Sequence, residues 1–185
     1  MRLFFAVEMP PEVQAPLAEL IDSLRSAEPG VRWVKAAGLH LTLRFLGELH
    51  EERLEAIVAA VRFGTAGCPP LFLRTAEFGT IPQRGRPRVV WMGLLDESGS
   101  LEGLHTALNG TLEQSGFSRE TRPFRPHVTL GRVRQGARPG RLLEQTVPPR
   151  PIPFVVREFV LMQSELGPQG ACYTPRARFP LLEAA

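Results

Sequence analysis

Lysine is almost missing from this chain. Lys35 is the only one, so 21 of the 22 positively charged residues are arginines. Arginine suits bidentate phosphate contacts and stacking on bases, but codon bias in a GC-rich genome, which would also raise proline, glycine and alanine, is the simpler reading of this excess. Cysteine is scarce too. Cys68 and Cys172 define no disulfide framework, and their number fits a reducing cytoplasm. No apolar run approaches 18 residues, which excludes a membrane-spanning helix. The apolar opening Leu3 to Val7 is too short for a signal peptide and is interrupted by Glu8 and Pro10-Pro11. A net charge of +3 gives no strong polyanion field. P-loop and dinucleotide fingerprints are absent, and no histidine has metal-ligand spacing with another His, Cys or carboxylate. We therefore expect neither a cofactor nor a metal.

What is present is a short string that occurs twice. His40-Leu41-Thr42-Leu43 and His127-Val128-Thr129-Leu130 both read His-x-Thr-x with apolar residues at x. A strand turns alternate side chains to opposite faces, so His and Thr share one face while Leu or Val anchors the other. Two such strands facing each other would set two imidazoles and two hydroxyls around one phosphorus, an acid/base site for phosphodiester chemistry without metal. Both strings lie in apolar runs, Leu39 to Leu46 and His127 to Val133. Strand parity places Arg44 on the face of His40 and Thr42. It places Arg132 opposite His127 and Thr129, unless the strand ends or bulges at Gly131. His50, at the start of a polar helix, reads as a surface residue and His105 as a boundary residue. Arg84, Arg86 and Arg88 offer an electrostatic landing for a nucleic-acid backbone. Phe4, Phe5, Trp33, Phe124 and Tyr173 are candidates to stack on bases, although each alone reads more simply as core.

The length, 185 residues, suits one core. Periodicity predicts a strand at Leu3 to Val7, a helix within Pro10 to Arg25 that starts late or kinks at Pro16, and an extended piece at Val31 to Val34. It predicts helices over Glu51 to Arg62 and Ser100 to Gln114, and strands over Leu71 to Phe78, Arg88 to Leu95, Phe154 to Ser164 and Tyr173 to Phe179. Arg- and Pro-rich loops fill 79–88 and 134–153. Each half holds a strand, a helix and a His-x-Thr strand. The expectation is an α+β fold: a single domain spanning 1–185, with two pseudo-symmetric lobes of antiparallel sheet plus helices around a central cleft.

These features resemble the 2H phosphoesterases, and more closely the bacterial and archaeal RNA 2′,3′-cyclic phosphodiesterases, historically called 2′-5′ RNA ligases. The resemblance rests on Arg2-Leu3-Phe4-Phe5-Ala6-Val7, on Leu39 to Gly47, on Val89-Val90-Trp91, on Arg122 to Arg132, and on Ser164-Glu165-Leu166 followed by Tyr173-Thr174. It implies metal-independent hydrolysis of an RNA 2′,3′-cyclic phosphate to a 2′-phosphomonoester. His40 would be the proton donor and His127 the proton acceptor. Thr42 and Thr129 would bind the non-bridging oxygens, and Arg132 the phosphate, which favours a bulge at Gly131. The implied partners are RNA ends, such as tRNA fragments, or a small cyclic nucleotide, with no membrane. Reversible ATP-independent 2′-5′ ligation and non-catalytic RNA-end binding are the alternatives.

Overall fold

The structure is a computed structural model that describes residues 1–82, 86–137, 146–167 and 170–182. Nine strands form one antiparallel sheet: β1 (Arg2–Glu8), β2 (Val31–Trp33), β3 (His40–Glu48), β4 (Leu71–Ile81), β5 (Val89–Asp96), β6 (His127–Val133), β7 (Pro153–Val156), β8 (Glu158–Gly167) and β9 (Gly170–Pro180). Among the described residues three α-helices accompany it: α1 (Pro11–Arg25), α2 (Leu54–Gly64) and α3 (Ser100–Gln114). The strand order is β7-β4-β5-β6-β3-β1-β8-β9, with β2 pairing the part of β6 that β3 leaves free. The two motif strands, β3 and β6, are therefore neighbours at the middle, with three further strands to each side.

Chain connectivity forces this sheet to curl. Only Arg157 separates β7 from β8, yet the two lie six inter-strand steps apart in the sheet. A flat sheet would hold them about 29 Å apart at ~4.8 Å per step, whereas one residue spans at most ~7 Å. The run Phe154 to Ser164, which the sequence presents as one strand, is thus two strands on opposite arms of a half-barrel.

Helices cover one face. Val13, Leu17, Ile21 and Leu24 of α1, Ile57 and Val61 of α2, and Leu101, Leu104, Leu108 and Leu112 of α3 are buried with Leu41, Leu43, Val128 and Leu130. α1 begins at Pro11, not later, and carries Pro16 inside it. The ring costs one backbone bond, and four buried side chains at ~1.5–3 kcal/mol each outweigh it. α2 is entered through a 3-10 turn, Glu51–Arg53. A second, smaller apolar cluster, Phe4, Ala6, Val160 and Met162 with Tyr173 against it, lies apart from the main core. β1 is consequently apolar on both faces, as its sequence indicates. Among the described residues no helix is long and apolar enough to cross a membrane, and Cys68 and Cys172 are free thiols.

Candidate active site

β3 and β6 meet at one antiparallel bridge, Leu41 opposite Val128. These are the middle residues of the two His-x-Thr triplets. The pairing therefore sets His40 across from Thr129 and Thr42 across from His127, a two-by-two array related by a local two-fold at the bridge. Leu41 and Val128 are fully buried on the helix side, while all four polar residues are half-buried on the other face. A one-residue slip of either strand would bury its His and Thr and expose its apolar anchors, so packing fixes the register.

Both imidazoles are held in the same way. Nδ1 of His40 lies 2.8 Å from the Gly38 carbonyl oxygen, and Nδ1 of His127 lies 2.7 Å from that of Arg125. A carbonyl only accepts, so each Nδ1 carries its hydrogen and donates it. Nε2 is left as the nitrogen that gives or takes a proton. Each ring also has an aromatic neighbour at a steep angle: Tyr173 on His40 (5.0 Å, 81°) and Trp91 on His127 (6.0 Å, 80°). Phe4 packs on His40 as well, at 5.1 Å. Burial and the nearby Arg132 charge hold the His40 pKa below its ordinary value, against the opposing pull of the Gly38 carbonyl and Glu8.

Both strands bulge immediately after the threonine. Ala6 and Phe5 pair Thr42 and Arg44, leaving Leu43 extra; Trp91 and Val90 pair Thr129 and Gly131, leaving Leu130 extra. A bulge reverses alternation beyond it. In β3 this corrects the parity expectation for Arg44, which turns away from His40 and Thr42. Arg44 is 8% exposed, donates to the Ser118 carbonyl oxygen and lies 3.5 Å from a Glu120 carboxylate oxygen. In β6 the bulge expected at Gly131 is present, and Arg132 is exposed on the histidine face, close enough for its charge to act on His40.

Phe45 was not visible as a site residue in the sequence. It stands three residues after Thr42, as Arg132 stands three after Thr129. It is 57% exposed, with its ring 5.7 Å from that of Phe4. That matching offset was the available signal, and the bulge was needed to read it. The candidate base-stacking residues are mostly occupied. Phe5 is fully buried, Phe4 and Trp33 are buried, and Phe124 stacks on His105 at 3.9 Å. Tyr173 packs against Phe4 and His40. His50 is exposed at the start of the 3-10 turn, on the surface as expected. Arg86 and Arg88 are exposed, whereas Arg84 lies outside the described residues, as do 138–145 of the second Arg/Pro loop.

Comparison with known proteins agrees with this architecture. A family model described as "2'-5' RNA ligase superfamily" matches residues 10–168, a span holding both motif strands. A Thermus thermophilus protein named RNA 2',3'-cyclic phosphodiesterase is 36% identical over 188 residues, covering 98% of this chain and 90% of that protein. A Thermotoga maritima protein of the same name is 32% identical over 173 residues, covering 94% and 91%. The crystal structure of Escherichia coli LigT with 3'-AMP superimposes with a TM-score of 0.76 at 31% identity, covering 98% of each chain. The chain belongs to the 2′-5′ RNA ligase superfamily.

Proposed function

We propose that this protein hydrolyses a 2′,3′-cyclic phosphate at an RNA end to a 2′-phosphomonoester, using His40 as general acid and His127 as general base. The observation that carries the reading is the pair of imidazoles on one face of adjacent strands, each with Nδ1 tied to a backbone carbonyl and Nε2 free. Relatives named RNA 2',3'-cyclic phosphodiesterase support the substrate class, and the Escherichia coli LigT structure complexed with 3'-AMP supports a nucleotide as ligand.

In this mechanism His127 Nε2 takes a proton from water as its oxygen bonds to phosphorus. The bond from phosphorus to the ribose 3′ oxygen breaks, and His40 Nε2 delivers a proton to that oxygen. The Thr42 and Thr129 hydroxyls donate to the non-bridging oxygens. Arg132 offsets the charge that accumulates on them, as a positioned donor does wherever charge develops in a transition state. No step needs a metal. The same two groups can serve 2′-5′ joining of ends: a 5′-hydroxyl takes the place of water, His127 Nε2 takes its proton as its oxygen bonds to phosphorus, and His40 Nε2 again protonates the departing 3′ oxygen.

The test is turnover in EDTA of an oligoribonucleotide ending in 2′,3′-cyclic phosphate, with 2′- and 3′-phosphate products resolved. The expected product is the 2′-phosphate. A divalent-metal requirement overturns the mechanism, and tight binding without turnover points instead to an end-binding protein.

A further inference from the structure

The quartet accounts for one phosphate, yet the cationic surface continues past it. In β2, Val31 and Trp33 are buried and Arg32 between them is exposed, so Arg32 stands on the face opposite the core, where His40 and His127 also stand. The β2–β6 register sets Arg32 directly opposite Arg132. Residues so paired share a face with Cβ atoms about 4.5–5.5 Å apart, and like charges there repel. No ion pair is present among the described residues for either of them. By contrast Arg25, Arg44, Arg74, Arg119, Arg176 and Arg178 each have a carboxylate partner. Arg88 and Arg134, also exposed and without an ion pair among the described residues, lie at the same end: the Val133 amide donates to Arg88 O and the Arg134 amide to Gly30 O.

We propose that Arg32, together with Arg132, seats the phosphodiester immediately upstream of the cyclic end, so that the enzyme selects RNA chain ends over cyclic mononucleotides. This rests on the reading of His40 as the acid. If His40 protonates the 3′ oxygen, the ribose lies on the His40 side of phosphorus and its 5′ oxygen leads away from His127. The arginine row lies in that direction, past the His40/Thr129 row by roughly 7–10 Å of strand. Arg132 stands between the two phosphate positions, while Arg32 faces only the outer one. Two planar guanidinium groups side by side match the paired oxygens of a phosphodiester, and an anion seated between them removes their mutual repulsion.

The experiment compares kcat/KM, in EDTA, for three substrates with the same terminal nucleoside 2′,3′-cyclic phosphate: the mononucleotide, the dinucleotide, and a dinucleotide whose internal linkage is an uncharged methylphosphonate. Wild type should favour the charged dinucleotide and treat the methylphosphonate like the mononucleotide. Arg32→Gln should cut the dinucleotide-to-mononucleotide ratio about tenfold, the scale of one charged hydrogen-bonding contact. It should also lower the log–log salt slope for the dinucleotide by about one. Arg32→Lys should recover part of the ratio. Equal wild-type kcat/KM on all three substrates, or an Arg32→Gln loss equal on mono- and dinucleotide, overturns the upstream seat while leaving the cyclic-phosphate reading intact. No turnover of any of the three overturns that reading and the seat with it.

Discussion

The two motif strands are the same for three residues and then diverge. In both, histidine and threonine share the face away from the helices, an apolar residue anchors the core, and a bulge follows the threonine. Beyond the bulge, β3 continues with buried Arg44 and exposed Phe45, and β6 with buried Gly131 and exposed Arg132. The cause lies in what packs beside each strand. β2 runs along β6 at Gly131, and a Cβ there would meet Val31 Cγ1 at 2.5 Å and Trp33 Cε3 at 3.0 Å. The chain before β6 forms no such strand beside β3. The Arg44 side chain reaches the Ser118 carbonyl and Glu120 of that segment instead. The site is therefore symmetric in its His/Thr quartet, and asymmetric at its ends, one aromatic and one cationic. The asymmetric ends can give the substrate a direction that the quartet alone does not.

The strongest way to break the symmetric part is to remove one histidine at a time. His40→Ala and His127→Ala should each lower kcat by about 10²–10⁴-fold, the contribution of one positioned acid or base. Groups that act as a unit are far from additive, so the double variant should fall little below the worse single one. Single-turnover rates on a cyclic-phosphate dinucleotide check this. A large difference between the single variants would show that the structural two-fold is not a chemical one.

Making the ends alike comes next. Arg132→Phe gives both halves an aromatic residue at the position after the bulge. It should cost about 10–100-fold in kcat/KM, the scale of one or two charge-assisted contacts to a phosphate. Phe45→Arg in the same chain should not restore the loss, because the new cation stands at the wrong end of the quartet. Recovery in the double variant would mean that the substrate binds in either orientation.

How far the sequence carried this comparison follows from which signals are local. The Leu101, Leu104, Leu108 and Leu112 row closed by Gly116 gave α3 its observed limits, Ser100–Gln114. The apolar alternation in the motif strings placed both histidines and both threonines on one face. Connectivity was not local. Arg157-Glu158 puts two charged residues in succession and breaks the alternation, but nothing local tells that β7 and β8 go to opposite arms of the sheet. The bulges were half legible. Gly131 marks the one in β6, while Leu43 is an ordinary apolar residue where β3 bulges, so parity misplaced Arg44 and concealed Phe45. Sequence alternation holds only while every residue has a partner on the neighbouring strand.

A smaller effect sharpens the packing side of the comparison. Gly131→Ala forces a methyl against Val31 and Trp33 and should destabilise the protein by about 1–3 kcal/mol, the usual cost of overpacking a core. Val31→Ala in the same chain should recover part of that loss by opening the nearest contact. Denaturant unfolding measures both. The equivalent position in the other half is occupied by Arg44, so a side chain is tolerated there and the restriction belongs to β2. An unchanged midpoint for Gly131→Ala would mean that β2 yields readily.

The gentlest probe of the asymmetry is pH. In the proposed mechanism His40 acts as acid only when protonated, and its pKa is lowered, first by burial and then by the Arg132 charge. Activity on the basic limb is lost as pH rises through that pKa. For kcat/KM, which reports the free enzyme, the limb should therefore break below the unperturbed imidazole value of about 6.5. Bound substrate brings a phosphate anion against the ring, which favours the imidazolium, so the basic limb of kcat should lie at higher pH than that of kcat/KM. Arg132→Gln removes one lowering charge and should move the kcat/KM limb upward. Phe45→Ala, at the far end and uncharged, should leave it in place. Equal shifts in the two variants would assign the effect to altered burial and not to the arginine.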